Sequence, residues 1–85
     1  MKFLIYSSLL CPYCDAAKGL LKKLKLDYKE ILIDNDPMVK KQMIKLSNRK
    51  TVPQIFFGNI HIGGYDDLEK LNANGEIFNL INEKK

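Results

Sequence analysis

The sequence has few of the residues that build metal sites and disulfide frameworks. It contains two cysteines, Cys11 and Cys14, and one histidine. A structural zinc site of the cysteine type needs about four ligands. A disulfide between residues three positions apart closes too short a loop to restrain the unfolded chain much. The composition therefore argues against a metal centre and against a structural disulfide.

Long apolar runs are also lacking. No run approaches the roughly 18 residues that a membrane-spanning helix needs, and the N-terminal run Phe3-Leu4-Ile5-Tyr6 is too short for the apolar core of a signal peptide. We expect a protein that does not associate with membranes and stays in the cytoplasm, where thiols are kept reduced.

The chain has no cluster of basic residues, although its net charge is +4. Its lysines are spread at helical spacing with no aromatic residues between them, which is typical of a solvated helix face and not of a nucleic-acid site. Without linkers or repeats, residues 1–85 are expected to form one domain, with 46% apolar and 28% charged residues. We expect a monomer.

The motif Cys11-Pro12-Tyr13-Cys14 follows a short apolar run and precedes a helical pattern. With Cys11 at the N-cap and Pro12 at the first helical position, the Cys11 sulfur lies where free N–H groups and the helix dipole favour a thiolate. Cys14, one turn later, is expected to be more buried and to resolve a mixed disulfide formed on Cys11. The motif predicts redox catalysis, with Cys11 as the nucleophile.

Apolar periodicity predicts a strand–helix–strand unit, then a helix, a hairpin and two short helices. We expect a second buried strand at 28–33 and an exposed, non-catalytic His61 in the hairpin. The fold class is α/β, with a four-stranded mixed β-sheet flanked by helices in a thioredoxin-like arrangement. The predicted strands are 2–6, 28–33, 54–57 and 60–62; the predicted helices are 12–25, 37–47 starting from Asp36, and two more on either side of Asn74-Gly75.

Three separated motifs together resemble the glutaredoxin family, and in particular the small bacterial dithiol glutaredoxins of the glutaredoxin 3 type. They are Cys11-Pro12-Tyr13-Cys14, Thr51-Val52-Pro53-Gln54-Ile55-Phe56 and Gly63-Gly64-Tyr65-Asp66-Asp67-Leu68. The resemblance implies an oxidoreductase that uses glutathione to reduce protein disulfides and glutathionylated proteins, and that can donate electrons to ribonucleotide reductase.

The resemblance also implies a glutathione groove. In the family, the loop like Thr51-Val52-Pro53 has a cis proline and offers its backbone to glutathione as an added strand would. Gly64, Tyr65 and Asp66 would bind the γ-glutamyl end at a helix N-terminus, although Asp66 could instead be only a helix cap. Tyr13 would flank the groove, or would have only a packing role.

One position departs from the family pattern. Where glutaredoxins usually have a lysine three residues before the first cysteine, this chain has Ser8. Arg49 or Lys50 could bind the glycyl carboxylate of glutathione instead. Leu9 and Leu10 make the surface beside the motif more apolar than is usual.

The resemblance leaves one functional alternative, because some glutaredoxins bind a [2Fe–2S] cluster between two protomers through the first cysteine and glutathione. Family members with a proline after the first cysteine mostly do not, so the redox function is favoured.

Overall fold

The computed structural model describes residues 2–83, which form four strands and four helices in a βαβαββαα order. The elements are β1 (Phe3–Ser7), α1 (Pro12–Lys23), β2 (Tyr28–Leu32), α2 (Pro37–Ser47), β3 (Gln54–Phe57), β4 (Ile60–Gly63), α3 (Tyr65–Ala73) and α4 (Glu76–Glu83). Each predicted element is present, and the predicted strand ends and the ends of the two long helices differ from the observed ones by at most two residues.

The sheet has the strand order β2-β1-β3-β4. Strand β1 pairs with β2 in parallel and with β3 antiparallel, and β3 and β4 form an antiparallel hairpin. The mixed four-stranded sheet and the α/β class are therefore confirmed. Because β1 and β3 are central, their near-continuous apolar sequences are covered on both faces.

Two apolar clusters cover the two faces of this sheet. On one face, alternate residues of β1 and β3 pack against α1, α3 and α4; on the other face, the intervening residues pack against α2. The buried members of the first cluster are Phe3, Ile5, Ala17, Leu21, Ile55, Phe57, Leu68 and Ile77. Those of the second are Tyr6, Met43 and Phe56.

The prediction of a second buried strand at 28–33 is wrong. Strand β2 ends at Leu32 and lies at the sheet edge, where three of its five residues are exposed. Leu32 itself is 43% exposed. A strand that ends a sheet has one neighbour instead of two, so apolar residues alone do not make it central.

Local signals set where the two long helices begin and end. Cys11 and Asp36 are the N-caps of α1 and α2, and each is followed by proline at the first helical position. Helix α1 ends at Lys23, two residues before the predicted end, because Lys25 has a left-handed φ of 59°. No helix within residues 2–83 is long and apolar enough to cross a membrane.

Candidate active site

The sheet order brings all three sequence motifs to one end of the molecule. Tyr6 pairs with Gln54, and Ile55 pairs with Gly63. The segment after β1 and the segments before β3 and after β4 therefore leave the sheet at the same end of the strands. Strand pairing therefore brings together in space three motifs that are far apart in sequence.

Cys11 and Cys14 differ in their surroundings, as the motif predicts. Cys11 is half-buried, and its sulfur accepts a hydrogen bond from the Cys14 backbone N–H at 3.1 Å. Cys14 is fully buried in the first turn of α1. An N–H aimed at the Cys11 sulfur stabilises negative charge there, together with the helix dipole.

Burial, followed by a hydrogen bond with Cys11, raises the pKa of the Cys14 thiol to about 12. The positive charge of Lys18, one turn further along α1, acts in the opposite direction. Lys18 is held by Glu30 of β2, with Nζ and Oε2 2.8 Å apart. Cys14 is thus a protonated thiol at neutral pH, whereas Cys11 is the accessible sulfur.

The loop before β3 lies against the nucleophile. The Cys11 thiol donates to the Val52 carbonyl oxygen across 3.9 Å, a long contact that sulfur permits. The Val52–Pro53 peptide is cis, as the family resemblance implies, and Pro53 is buried.

A surface cleft of about 200 Å³ begins beside this contact. It brings together Tyr13 of α1, the loop before β3 and the start of α3, and the rings of Tyr13 and Tyr65 have centroids 6.2 Å apart. Lys50 is exposed and is not among the lining residues. Those residues are Tyr13, Arg49, Thr51, Val52, Pro53, Gln54, Gly64, Tyr65, Asp66 and Asp67.

Asp67 was not among the residues predicted for the site, yet it connects two walls of the cleft. Its Oδ2 accepts from the Gly64 backbone N–H at 3.0 Å and forms an ion pair with Arg49 at 3.2 Å. The Gly64 N–H and then Arg49 lower the pKa of the Asp67 carboxyl. An acidic residue three positions after a helix N-cap is the sequence signal that could have identified it.

Asp66 is not the N-cap of α3, which was the alternative role that the sequence left open. Gly64 is the N-cap of α3, and Asp67 accepts its N–H. Asp66 is exposed, lines the cleft and leaves its carboxylate available to a ligand.

Ser8, which stands in the place of the usual lysine, turns towards the loop after β2. Its hydroxyl donates to Asp34 Oδ1, and the Leu9 N–H donates to Asp34 Oδ2 at 2.8 Å. These two bonds hold the Leu9-Leu10 turn, in which Leu10 is 96% exposed. Asp34 was not identified from the sequence.

His61 is not the exposed residue that the sequence predicted. Its ring is half-buried over Phe56, with centroids 4.9 Å apart, and its Nε2 lies 2.8 Å from Gln54 Oε1. Burial, followed by the charge of Arg49, lowers the pKa of the His61 imidazole. Gln54, only 1% exposed, extends this contact to the loop at Thr51.

Comparison with known proteins agrees with this arrangement. The family model described as Glutaredoxin matches residues 3–62. Glutaredoxin 3 of Escherichia coli strain K12 is 46% identical over 77 residues, which cover 91% of this chain and 93% of that protein.

Solved structures show the same thioredoxin-like fold. The solution structure of glutaredoxin from Brucella melitensis has a TM-score of 0.86 at 38% identity and covers 100% of this chain and 92% of that chain. The crystal structure of a buckwheat glutaredoxin–glutathione complex has a TM-score of 0.86 at 26% identity and covers 95% of this chain and 76% of that chain. The chain therefore belongs to the glutaredoxin family of thiol–disulfide oxidoreductases, and is similar to bacterial glutaredoxin 3.

Proposed function

We propose that this protein is a glutathione-dependent thiol–disulfide oxidoreductase that reduces glutathione mixed disulfides and protein disulfides. The observation that carries the proposal is the contact between Cys11 and Val52 at the edge of the cleft. A peptide disulfide that lies along the loop would present its sulfur to Cys11. The buckwheat glutaredoxin–glutathione complex, which shares the fold, adds support.

In the proposed reaction, the Cys11 thiolate attacks the glutathione sulfur of a mixed disulfide and expels the substrate thiolate, which takes up a proton. Cys11 is then joined to glutathione. A second glutathione thiolate attacks the bound glutathione sulfur, which yields oxidised glutathione and restores the Cys11 thiolate.

With a protein disulfide, Cys14 provides a second route. The Cys11 thiolate attacks the protein disulfide and forms a mixed disulfide with the protein. Cys14 then loses its proton and attacks the Cys11 sulfur, which releases the reduced protein and leaves a Cys11–Cys14 disulfide for glutathione to reduce. Because burial raises the pKa of Cys14 to about 12, this step is slow unless departure of the proton accompanies the attack.

The cleft residues have distinct roles in the proposal. The Val52 backbone would pair with the peptide of glutathione, between Thr51 and the buried Pro53. Gly64 lines the cleft without a side chain, so its backbone would be open to glutathione.

The charged and aromatic residues would hold the two ends of glutathione. Tyr65 and Asp66, at the start of α3, would bind the γ-glutamyl end, with the Asp66 carboxylate on its ammonium group. Arg49 would take the glycyl carboxylate, with Lys50 as the other cation of that segment, and Tyr13 would flank the groove.

The proposal predicts that Asp66→Ala weakens glutathione use. Loss of one charge-assisted contact at an open surface should raise the apparent KM for glutathione by about tenfold. A coupled assay with glutathione, its reductase and a small glutathione mixed disulfide measures this effect, with far-UV circular dichroism as the folding check.

Glu76→Ala is the matched control, because Glu76 is also an acidic residue in the first turn of a helix but lies outside the cleft. An unchanged glutathione dependence in Asp66→Ala would remove Asp66 from the groove. Failure of the wild-type protein to turn over glutathione would overturn the proposed function, and a visible absorption band after anaerobic purification would favour the cluster-binding alternative.

We propose that residues 1–85 act as one monomeric, cytoplasmic domain whose co-substrate is glutathione. Its protein substrates would be disulfide-containing or glutathionylated proteins, with ribonucleotide reductase as one acceptor.

A further inference from the structure

A part-buried chain of hydrogen bonds runs from the hairpin to the loop before β3, at the wall of the cleft. Gln54 Nε2 donates to the Thr51 carbonyl oxygen at 3.0 Å and to the Thr51 hydroxyl at 3.2 Å. Gln54 Oε1 lies 2.8 Å from His61 Nε2. The resemblance to the family implied no such role for Gln54, and the sequence predicted a non-catalytic His61.

The direction of each hydrogen bond follows from its partners. A backbone carbonyl only accepts, so the Gln54 atom facing Thr51 must be the amide nitrogen, and the atom facing His61 must be the amide oxygen. The amide oxygen also only accepts, so His61 Nε2 must carry a hydrogen. The Thr51 carbonyl therefore sets which way the Gln54 amide points, and the His61 Nε2–H stabilises that orientation.

The Thr51 carbonyl belongs to the same peptide group as the Val52 N–H. This peptide is trans, since the cis bond in the loop is the next one, and in a planar trans peptide the C=O and N–H point in opposite directions. Gln54 holds the Thr51 carbonyl, so the Val52 N–H points away from the Gln54 amide, and its direction is set by the Gln54 contact in a cleft that both Val52 and Gln54 line.

We propose that Gln54 and His61 are positioning residues that orient the Thr51–Val52 peptide for backbone pairing with glutathione. Neither residue exchanges electrons or touches the reacting sulfurs. This inference rests on the proposed function and deepens it, because it places the determinant of glutathione alignment in the β3–β4 hairpin.

The decisive comparison is between two substitutions of His61. His61→Phe keeps a ring over Phe56 but removes the donor to Gln54 Oε1. His61→Gln places an amide nitrogen close to the position of Nε2 and restores a donor. Loss of one part-buried hydrogen bond should raise the apparent KM for glutathione by about three- to tenfold in His61→Phe, with kcat changed by less than about twofold. His61→Gln should return KM to within about twofold of the wild type.

Two further variants complete the test. Gln54→Met, of similar length but without an amide, should raise KM in the same direction, and it replaces His61→Phe if that protein does not fold. Asn59→Ala, in the exposed hairpin turn, should leave KM unchanged. Thermal unfolding of each variant separates a change in alignment from a loss of folded protein.

The Val52 amide signal in ¹H–¹⁵N NMR spectra gives a readout that needs no glutathione turnover. The signal should move in His61→Phe and stay near its wild-type position in His61→Gln. Equal KM values and equal Val52 signals in the two variants would overturn the positioning role. Absence of glutathione use by the wild-type protein, with the Val52 shift still present, would instead overturn the proposed function alone.

Discussion

At the scale of single residues, two cysteines three positions apart acquire different chemistry from one helical turn. Cys11 at the N-cap is half-buried and receives the Cys14 N–H, whereas Cys14 is fully enclosed. Burial removes solvent from the charged form of Cys14, so the thiol is favoured there.

This difference predicts opposite outcomes for the two serine variants. Cys11→Ser should abolish turnover of glutathione mixed disulfides, because the only other cysteine of the sequence, Cys14, is fully buried. Cys14→Ser should keep that activity, since glutathione resolves the intermediate, and should lose more of the protein-disulfide activity. The coupled assay with each substrate type measures both, and retention of activity in Cys11→Ser would contradict the assignment of the nucleophile.

The Asp67 carboxylate makes two contacts that different substitutions can separate, one with the Gly64 N–H and one with Arg49. Asp67→Asn keeps an oxygen that can accept the Gly64 N–H but loses the ion pair with Arg49. It should change the free energy of unfolding by about 0.2 to 1 kcal/mol, as is usual for exposed pairs. Asp67→Ala also loses the bond to the helix start and should cost a further 0.5 to 2 kcal/mol or so. Urea unfolding measures both, with Asp66→Asn as a neutral control; equal costs for the two Asp67 variants would show that the Gly64 bond contributes nothing.

At the scale of elements, the β3–β4 hairpin contributes to the site as well as to the sheet. Gly63 ends β4 with φ of 122°, and a Cβ there would lie 2.1 Å from Asp67 Oδ2. A glycine is therefore required at position 63, at the end of β4 just before α3. The same hairpin packs the half-buried His61 against Phe56 and Gln54.

The half-buried position of His61 predicts a specific loss of stability in mild acid. Its pKa in the folded state is lowered from the usual 6.5, so the unfolded chain binds the proton first as pH falls. The stabilisation is complete above about pH 6.5 and is lost as pH falls through the folded-state pKa. Arg49 opposes protonation and Asp67 favours it, with burial the larger effect.

Urea unfolding between pH 7.5 and 5.5 tests this prediction. His61 is the only histidine, and carboxyl groups titrate mainly below this range. The wild-type protein should lose stability across the range, whereas His61→Phe should not. A slope that persists in the variant would assign the effect to another group.

At the scale of the whole molecule, one sheet divides two apolar clusters of unequal size. The larger cluster lies beneath α1, α3 and α4, and the smaller one beneath α2. Helix α2 therefore has less apolar surface to cover, and its Leu46 is 53% exposed.

The contrast between Leu21 and Leu46 tests this division. Leu21→Ala leaves a cavity in the larger cluster and should cost about 2 to 5 kcal/mol in the free energy of unfolding. Leu46→Ala on the exposed side of α2 should change it by no more than about 0.5 kcal/mol. Both residues are leucines in helices, so each is the control for the other in urea unfolding. A large cost for Leu46→Ala would mean that α2 packs differently.

The sequence alone determined the helices, the strands and the redox motif. Apolar spacing reports which residues of a segment avoid water, and proline after Cys11 or Asp36 marks a helix start through its fixed φ. The Cys11-Pro12-Tyr13-Cys14 motif predicts its chemistry because both thiols lie within one turn.

Only the tertiary structure decided which strands are central, and which distant residues meet. The position of β2 at the side of the sheet follows from the strand order. Three contacts join different elements of the fold: the Asp67–Arg49 pair, the Ser8–Asp34 contact and the His61–Gln54 contact. No local pattern records such contacts, because strand order and loop approach depend on how the whole sheet pairs. The cleft forms for the same reason, because the loops after β1, before β3 and after β4 lie at the same end of the sheet.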